Sequence, residues 1–172
     1  MLSLNEYKGG NMKRTSLIFI AVLFLFSIMT SADYVGSKKC KMCHKGEKRG
    51  KVFEKWIEKR HSKAFETLKK KGKEKDPACL KCHTTAFNKG GYKIGDPNAS
   101  KFEGVGCEVC HGPGSDYKKM SVMKNKSKAL AAGLVVPDEK VCLNCHDPKK
   151  SEFAKPFDKD KYFKKIDHKY RK

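Results

Sequence analysis

This chain has few acidic residues, no long apolar segment and no recognisable strand pattern. Lysine and arginine number 39 against 19 aspartates and glutamates, giving a formal charge of +20 over 172 residues. The longest apolar run, Leu17 to Met29, has about thirteen residues, too few to span a bilayer comfortably. No alternation of apolar and polar residues marks a strand. These shortages exclude an acidic surface and argue against a β fold and against a spanning membrane protein.

No cysteine is left outside one repeated pentapeptide. All eight belong to Cys-x-x-Cys-His segments: Cys40, Cys43 and His44; Cys79, Cys82 and His83; Cys107, Cys110 and His111; and Cys142, Cys145 and His146. This is the attachment signature of c-type haem, in which two thioethers hold the macrocycle and the histidine reaches the iron. Four disulfides or zinc ribbons would also use paired cysteines, but neither requires a histidine after every pair. The sequence therefore predicts four covalently bound haem c groups, with these cysteines as attachment residues and these histidines as proximal iron ligands.

The first 32 residues are predicted to be a secretory signal peptide. Met12-Lys13-Arg14 precedes the apolar run, and the small residues Thr30-Ser31-Ala32 follow it, so we expect cleavage after Ala32. Met12 is an alternative start, and an uncleaved anchor is the alternative to cleavage. Residues 33–172 then form a single tetrahaem cytochrome c domain. Because c-type haem is attached outside the cytoplasmic membrane, we expect a periplasmic or extracellular protein with no membrane span after cleavage.

Histidine is too scarce to fill every axial position. Four irons have eight axial positions, and only His61 and His168 lie outside the motifs. Gly50 to Lys73 reads as one amphipathic helix, with His61 on its apolar stripe four residues after Ile57 and four before Phe65. Such a histidine is ordinarily a hydrogen-bonded core residue, but the scarcity favours His61 as a distal iron ligand. A single chain then has at most two haems with two histidine ligands.

Local signals predict where the shorter helices begin and end. Asp76-Pro77 should begin a helix that carries the second motif, and Gly112-Pro113-Gly114 should end the helix of the third. Ser115 should cap a helix that ends near Gly133, and Pro137-Asp138 should begin the fourth motif's helix. The tail from Lys149 onward contains enough aromatic residues that we expect it to fold back over a haem.

Four stretches of the sequence resemble the cytochrome c-554 family of tetrahaem electron carriers: Tyr34-Val35-Gly36, Trp56 to Phe65, Gly104 to Ser115, and Phe157 to His168. The resemblance covers essentially all of residues 33–172. It implies a multihaem cytochrome c fold, mostly α with long loops and little or no β, in which four haems in stacked pairs form the core. It also implies that His61 is the distal ligand of the third haem, that His168 is the distal ligand of the fourth, and that the second haem is five-coordinate.

One departure from that family concerns the first haem. Relatives carry a histidine shortly after Gly-Pro-Gly-Ser, whereas this chain reads Asp116-Tyr117-Lys118-Lys119-Met120. Met120 is a chemically reasonable substitute ligand, although methionine on a helix is more often a core residue. Tyr117, Lys118, Lys119 and Met123 are weaker candidates, and a histidine from a neighbouring chain is a further one. The sixth ligand of the first haem is therefore left open.

The sequence favours a carrier of single electrons between redox partners. Residues 33–172 keep 36 basic against 18 acidic side chains, which suits redox proteins with acidic docking surfaces; an exported haem protein is not expected to bind nucleic acid. The lysine excess has an alternative origin in genome composition or a heat-adapted surface. Two other functions compete: a small reductase acting on a nitrogen oxide at an open haem iron, and a self-associating subunit of a cytochrome filament, in which His168 would ligate a haem of the next chain.

Overall fold

Short helices joined by long loops make up this chain. The computed structural model describes residues 31–166 and 168, which from Ala32 onward belong to one compact unit. The described residues contain nine α-helices: α1 (Ser37–His44), α2 (Val52–Ile57), α3 (Ala64–Lys69), α4 (Pro77–His83), α5 (Cys107–His111), α6 (Met120–Met123), α7 (Lys126–Ala131), α8 (Glu139–Cys142) and α9 (Lys159–Ile166). Two 3-10 turns, Glu47–Arg49 and Ala99–Phe102, lie in the loops.

The predicted fold class, mostly α with long loops and little or no β, is confirmed. Among the described residues the only extended pairing is one isolated bridge between Thr84 and Glu103. In that same part of the chain, none of the helices has the length and apolar character needed to cross a membrane. The predicted signal peptide, residues 1–32, lies outside the described residues except for its last two, so its cleavage stays a prediction.

The single helix predicted from Gly50 to Lys73 is wrong, because the chain leaves helical geometry between Ile57 and Ala64. The Ser62 hydroxyl donates to the carbonyl oxygens of Ile57, at 2.8 Å, and Lys59, at 2.7 Å. A serine that bonds the backbone in this way competes with the helical ladder. His61 therefore lies in a turn between α2 and α3 and not on the face of a continuous helix.

A neighbouring segment of backbone holds this turn in place. The Val105 N–H donates to the His61 carbonyl at 2.8 Å, and the Trp56 indole N–H donates to the Val105 carbonyl at 3.1 Å. Gly104 allows the approach, because its φ is +78° and a Cβ there would collide with the Ser62 carbonyl oxygen. The segment just before the third motif thus fixes the position of His61.

The other predicted helix ends agree with the structure in most places. The Asp76 carboxylate caps α4 by accepting from the Ala78 N–H at 3.0 Å, and Gly112 follows α5 with φ +79°. Asp138 caps α8. The helix predicted from Ser115 is wrong, because the Ser115 hydroxyl accepts from the Asp33 N–H and two shorter helices, α6 and α7, follow later.

The largest cluster of buried apolar side chains joins α3 and α4 to the loop that follows them. It consists of Phe65, Leu68, Leu80, Tyr92 and Phe102. Leu80 is fully buried between the two cysteines of the second motif, and the Phe65 and Tyr92 rings pack 5.2 Å apart. This cluster anchors the second motif beside α3.

Helices α1 and α5 are joined by polar contacts. The Cys107 N–H donates to the Ser37 hydroxyl at 3.0 Å, which links the start of α5 to the start of α1. The Gly106 N–H donates to the Thr85 hydroxyl, also at 3.0 Å, and that hydroxyl donates to the Gly104 carbonyl. The segments that carry the first and third motifs are therefore fixed to each other.

Candidate haem centres

Each Cys-x-x-Cys-His motif occupies the end of a helix. Helices α1, α4 and α5 each carry both cysteines of a motif and end at its histidine. In the fourth motif α8 ends at Cys142, and a further turn, closed by the His146 N–H donating to the Cys142 carbonyl at 3.0 Å, carries Cys145 and His146. A helical turn puts side chains three and four residues apart on one side, so each motif presents two thiols and an imidazole together.

Backbone carbonyls orient two of these four imidazoles. His83 Nδ1 lies 2.8 Å from the Ala64 carbonyl oxygen, and His111 Nδ1 lies 3.0 Å from the Val135 carbonyl oxygen. A carbonyl can only accept, so each Nδ1 carries the hydrogen and Nε2 keeps its lone pair. Metal-binding histidines commonly have this arrangement, which fixes the ring and raises its basicity.

Histidine rings face each other in two places. The ring centres of His61 and His146 are 6.0 Å apart with planes inclined by 50°, and those of His111 and His168 are 6.2 Å apart at 80°. Two metal–imidazole bonds of about 2 Å each, plus about 1 Å from each nitrogen to its ring centre, require roughly 6 Å. Both separations therefore fit one iron between two imidazoles.

The facing rings are not the pairs that the family resemblance implied, and which iron each histidine ligates stays a prediction. His61, expected opposite the third motif's His111, faces the fourth motif's His146; His168, expected opposite His146, faces His111. His61 also borders the cleft that contains His111 and His168, so it lies between the two motifs.

His44 and His83 have no such partner. Among the described residues no second histidine ring faces either of them at this distance. Met120, proposed from sequence as a ligand opposite His44, is the first residue of α6 and is 61% exposed. Tyr117 is buried, and its hydroxyl donates to the Gly112 carbonyl at 2.7 Å, so this oxygen already has a partner.

Burial favours the neutral form of four of the candidate ligands. Burial lowers the pKa of four histidines: His44, His61, His111 and His146. A neutral imidazole has the free lone pair that a metal requires.

Cysteines of different motifs contact each other. Cys40 and Cys107 lie close enough for each to shift the pKa of the other thiol, and so do Cys82 and Cys145. The contact with Cys145 lowers the pKa of Cys82 to about 7. None of the eight cysteines is in a disulfide. The first motif therefore adjoins the third, and the second adjoins the fourth.

The tail folds back onto the fourth motif, as the sequence predicted in general terms. The Phe157 ring stacks on His146 with centres 5.3 Å apart, and Tyr162 stacks on Phe157 at 5.7 Å.

Sequence reasoning missed the groups that support the motifs, namely the orienting carbonyls of Ala64 and Val135 and the buried Glu108. No spacing rule marks these residues.

The donors present fit haem c: every motif has two free thiols and an imidazole, and two motifs have a second imidazole at a suitable distance. The family model for "Cytochrome c554 and c-prime" matches residues 39–112. Cytochrome c-554 of Nitrosomonas europaea is 39% identical, over 70% of this chain and 60% of that protein, so the match spans less than two thirds of the relative. The structure of the reduced state of cytochrome c554 from Nitrosomonas europaea superposes with a TM-score of 0.55 at 29% identity and covers 79% of both chains. The chain therefore resembles the cytochrome c-554 family in sequence and in fold, and its four motifs are those that hold four covalently bound haem c groups.

Proposed function

We propose that this chain is an exported carrier that passes single electrons between redox proteins through its four haems. Each haem supplies a one-electron ferric–ferrous couple, while the protein supplies attachment, axial ligands and shielding from water. The observation that best supports this proposal is that the first and third motifs adjoin: the Cys107 N–H donates at 3.0 Å to the Ser37 hydroxyl, at the start of the helix that carries Cys40 and Cys43. Motifs that adjoin suit the transfer of electrons from one haem to the next.

In this proposal the cysteines form the thioethers, and His44, His83, His111 and His146 are the proximal ligands. His168 completes the coordination at the third motif, and His61 completes it at the fourth, as their ring separations suggest. Carbonyls hold the His83 and His111 rings, so these ligands need little reorganisation when the charge on iron changes. Met120, or a histidine of a neighbouring chain, remains the candidate at the first motif.

The charge of the chain supports acidic redox proteins as partners. The excess of 36 basic over 18 acidic side chains in residues 33–172 attracts an acidic surface and accelerates encounter at low salt. Attachment of haem c outside the cytoplasmic membrane supports a periplasmic or extracellular location. His168 faces His111 of its own chain, which favours ligation within the chain over exchange between subunits of a filament.

Reduction of a nitrogen oxide at an open iron is the second candidate function. The observation that favours it is that His44 and His83 have no facing histidine among the described residues. The two functions separate in one experiment on the holoprotein. A carrier exchanges four electrons rapidly with an acidic redox protein, and the rate falls as ionic strength rises. It does not consume nitric oxide catalytically. Sustained turnover of nitric oxide by the reduced protein would identify a reductase.

A further inference from the structure

Glu108 is a buried acid with an unusual set of partners. It lies between the two cysteines of the third motif and is only 1% exposed. The Val35 N–H donates to Oε1 at 2.9 Å and to Oε2 at 3.1 Å; the Gly36 N–H donates to Oε2 at 2.7 Å, and the Gly114 N–H donates to Oε1 at 2.7 Å. A group that only accepts hydrogen bonds on both oxygens is an ionised carboxylate, because a protonated one would need an acceptor.

No cation neutralises this charge in the described part of the chain. The ion pairs found there involve other acids: Glu47, Glu103, Asp76 and Asp147. Backbone dipoles stabilise the Glu108 charge without cancelling it. A negative potential therefore remains in a buried region, where the effective dielectric is low and salt screens poorly.

Two phenols lie near Glu108. Burial, and next to it the charge of Glu108, raises the pKa of both Tyr34 and Tyr117. The hydrogen bonds of Glu108 join the N-terminal segment, through Val35 and Gly36, to the Gly112–Ser115 loop, through Gly114.

Glu108 lies at the junction of the first and third motifs. It follows Cys107 directly, and it holds Gly36, the residue before the helix that carries Cys40. The Cys107 N–H also donates to the Ser37 hydroxyl, at the start of that helix, at 3.0 Å. None of the hydrogen bonds to Glu108 in the described part of the chain comes from the second or fourth motif.

We propose that the Glu108 carboxylate is a fixed anion that lowers the reduction potentials of the haems attached to the first and third motifs. This inference rests on the proposed electron-carrier function. A ferric centre carries one more positive charge than a ferrous one, so a nearby buried negative charge favours the oxidised form. The charge thereby biases electrons away from the first and third motifs towards the second and fourth.

The third and fourth motifs provide an internal comparison. Their proposed ligands are chemically the same, a pair of histidines each, and Glu108 adjoins only the third. In the parent protein the fourth haem should therefore take its electron before the third. The low-spin signal that disappears in His61→Ala is assigned to the fourth haem, and the remaining bis-histidine signal to the third.

The direct test is a redox titration of the full holoprotein and three variants, followed by visible and EPR spectra. Glu108→Gln removes the charge and keeps the shape. Glu108→Asp keeps the charge but is one methylene shorter. Glu66→Gln removes the same charge from an exposed position on α3.

In Glu108→Gln we expect two of the four reduction equilibrium constants to rise at least tenfold, which is about 59 mV for a one-electron couple. Glu108→Asp should lose thermal stability and move these two potentials by much less, and Glu66→Gln should leave all four near the parent. Unchanged potentials in Glu108→Gln, an equal shift of all four, or an equal shift in Glu108→Asp would overturn the proposal. If the Glu108→Gln protein cannot be produced, the order of reduction in the parent protein is the test. Reduction of the third haem before the fourth would then overturn the proposal. Failure of the carrier function is recognised separately, as fewer than four haems or fewer than four electrons per chain.

Discussion

His61 faces His146 across 6.0 Å between ring centres, although the sequence suggests a helical stripe for one residue and a haem motif for the other. The backbone of Val105 holds this arrangement by bonding the His61 carbonyl and the Trp56 indole. The segment before the third motif therefore positions the candidate ligand of the fourth. The turn that contains His61 thus links the backbone before the third motif to the histidine of the fourth.

Replacing His61 with alanine should convert one low-spin iron to high spin, and that iron should be the one held by the fourth motif. Loss of a strong nitrogen donor should also raise the potential of that haem. Low-temperature EPR and a redox titration of the oxidised holoprotein measure both effects. Spectra and potentials identical to those of the parent would show that His61 is only a packed side chain.

His168→Ala is the matched control for that variant, because His168 faces His111 instead. Its imidazole plane is inclined by 80° to that of His111, against 50° for His61 and His146. Nearly perpendicular planes leave two iron d orbitals close in energy, so the signal lost in His168→Ala should be the more anisotropic one. Loss of the same signal in both variants would contradict the pairing.

Gly104→Ala should destabilise the protein more than Gly46→Ala. Both glycines have φ near +80°, but a Cβ at Gly46 meets nothing within 4 Å, whereas one at Gly104 would collide with the Ser62 carbonyl. Backbone strain alone costs about 1–3 kcal/mol, and Gly104→Ala should cost roughly 1 kcal/mol more. Thermal denaturation of the two holoprotein variants compares them. Since the collision displaces His61, Gly104→Ala alone should also weaken the fourth haem's low-spin signal. Equal stability and equal spectra in the two variants would show that the close approach of Gly104 to Ser62 does not position His61.

Motif spacing predicted the haem attachment residues and the helical class because both depend on residues close together in the chain. Three or four residues determine whether a turn can carry two thiols and an imidazole, and Asp76 with Pro77 suffices to begin α4. The break at His61 could not be predicted in the same way. The stripe from Ile57 to Phe65 fits a helix, and the Ser62 and Val105 contacts that interrupt it depend partly on a distant segment.

The residues that contact the motifs from distant parts of the chain could not be predicted from the sequence either. Glu108 occupies a variable position of its motif, where a charged residue would ordinarily be exposed, and only the fold brings Val35, Gly36 and Gly114 to it. The pairing of His168 with His111 likewise depends on how the tail returns, which spacing does not determine.

Four covalent haems should remain on each chain after denaturation. Each motif supplies two thioethers, so intact mass spectrometry should give the polypeptide from about Asp33 plus four haems. A mass equal to the bare polypeptide, or to the polypeptide less eight hydrogens, would instead indicate free thiols or four disulfides.

Carbon monoxide should bind one or two irons of the reduced monomer without displacing histidine. His44 and His83 have no facing histidine in the described part of the chain, so the first and second haems are the expected sites. A gas titration followed by the visible spectrum counts them. Four gas-inert irons would show that Met120, lysine or a second chain completes the coordination.

Low-temperature EPR of the fully oxidised monomer tests the central claim most directly, namely that two histidine pairs, His61 with His146 and His111 with His168, each hold one iron. The account predicts two different low-spin signals of the bis-histidine type, both absent from the double variant His61→Ala/His168→Ala, and two irons with other coordination. Four bis-histidine signals, or two that persist in the double variant, would contradict it.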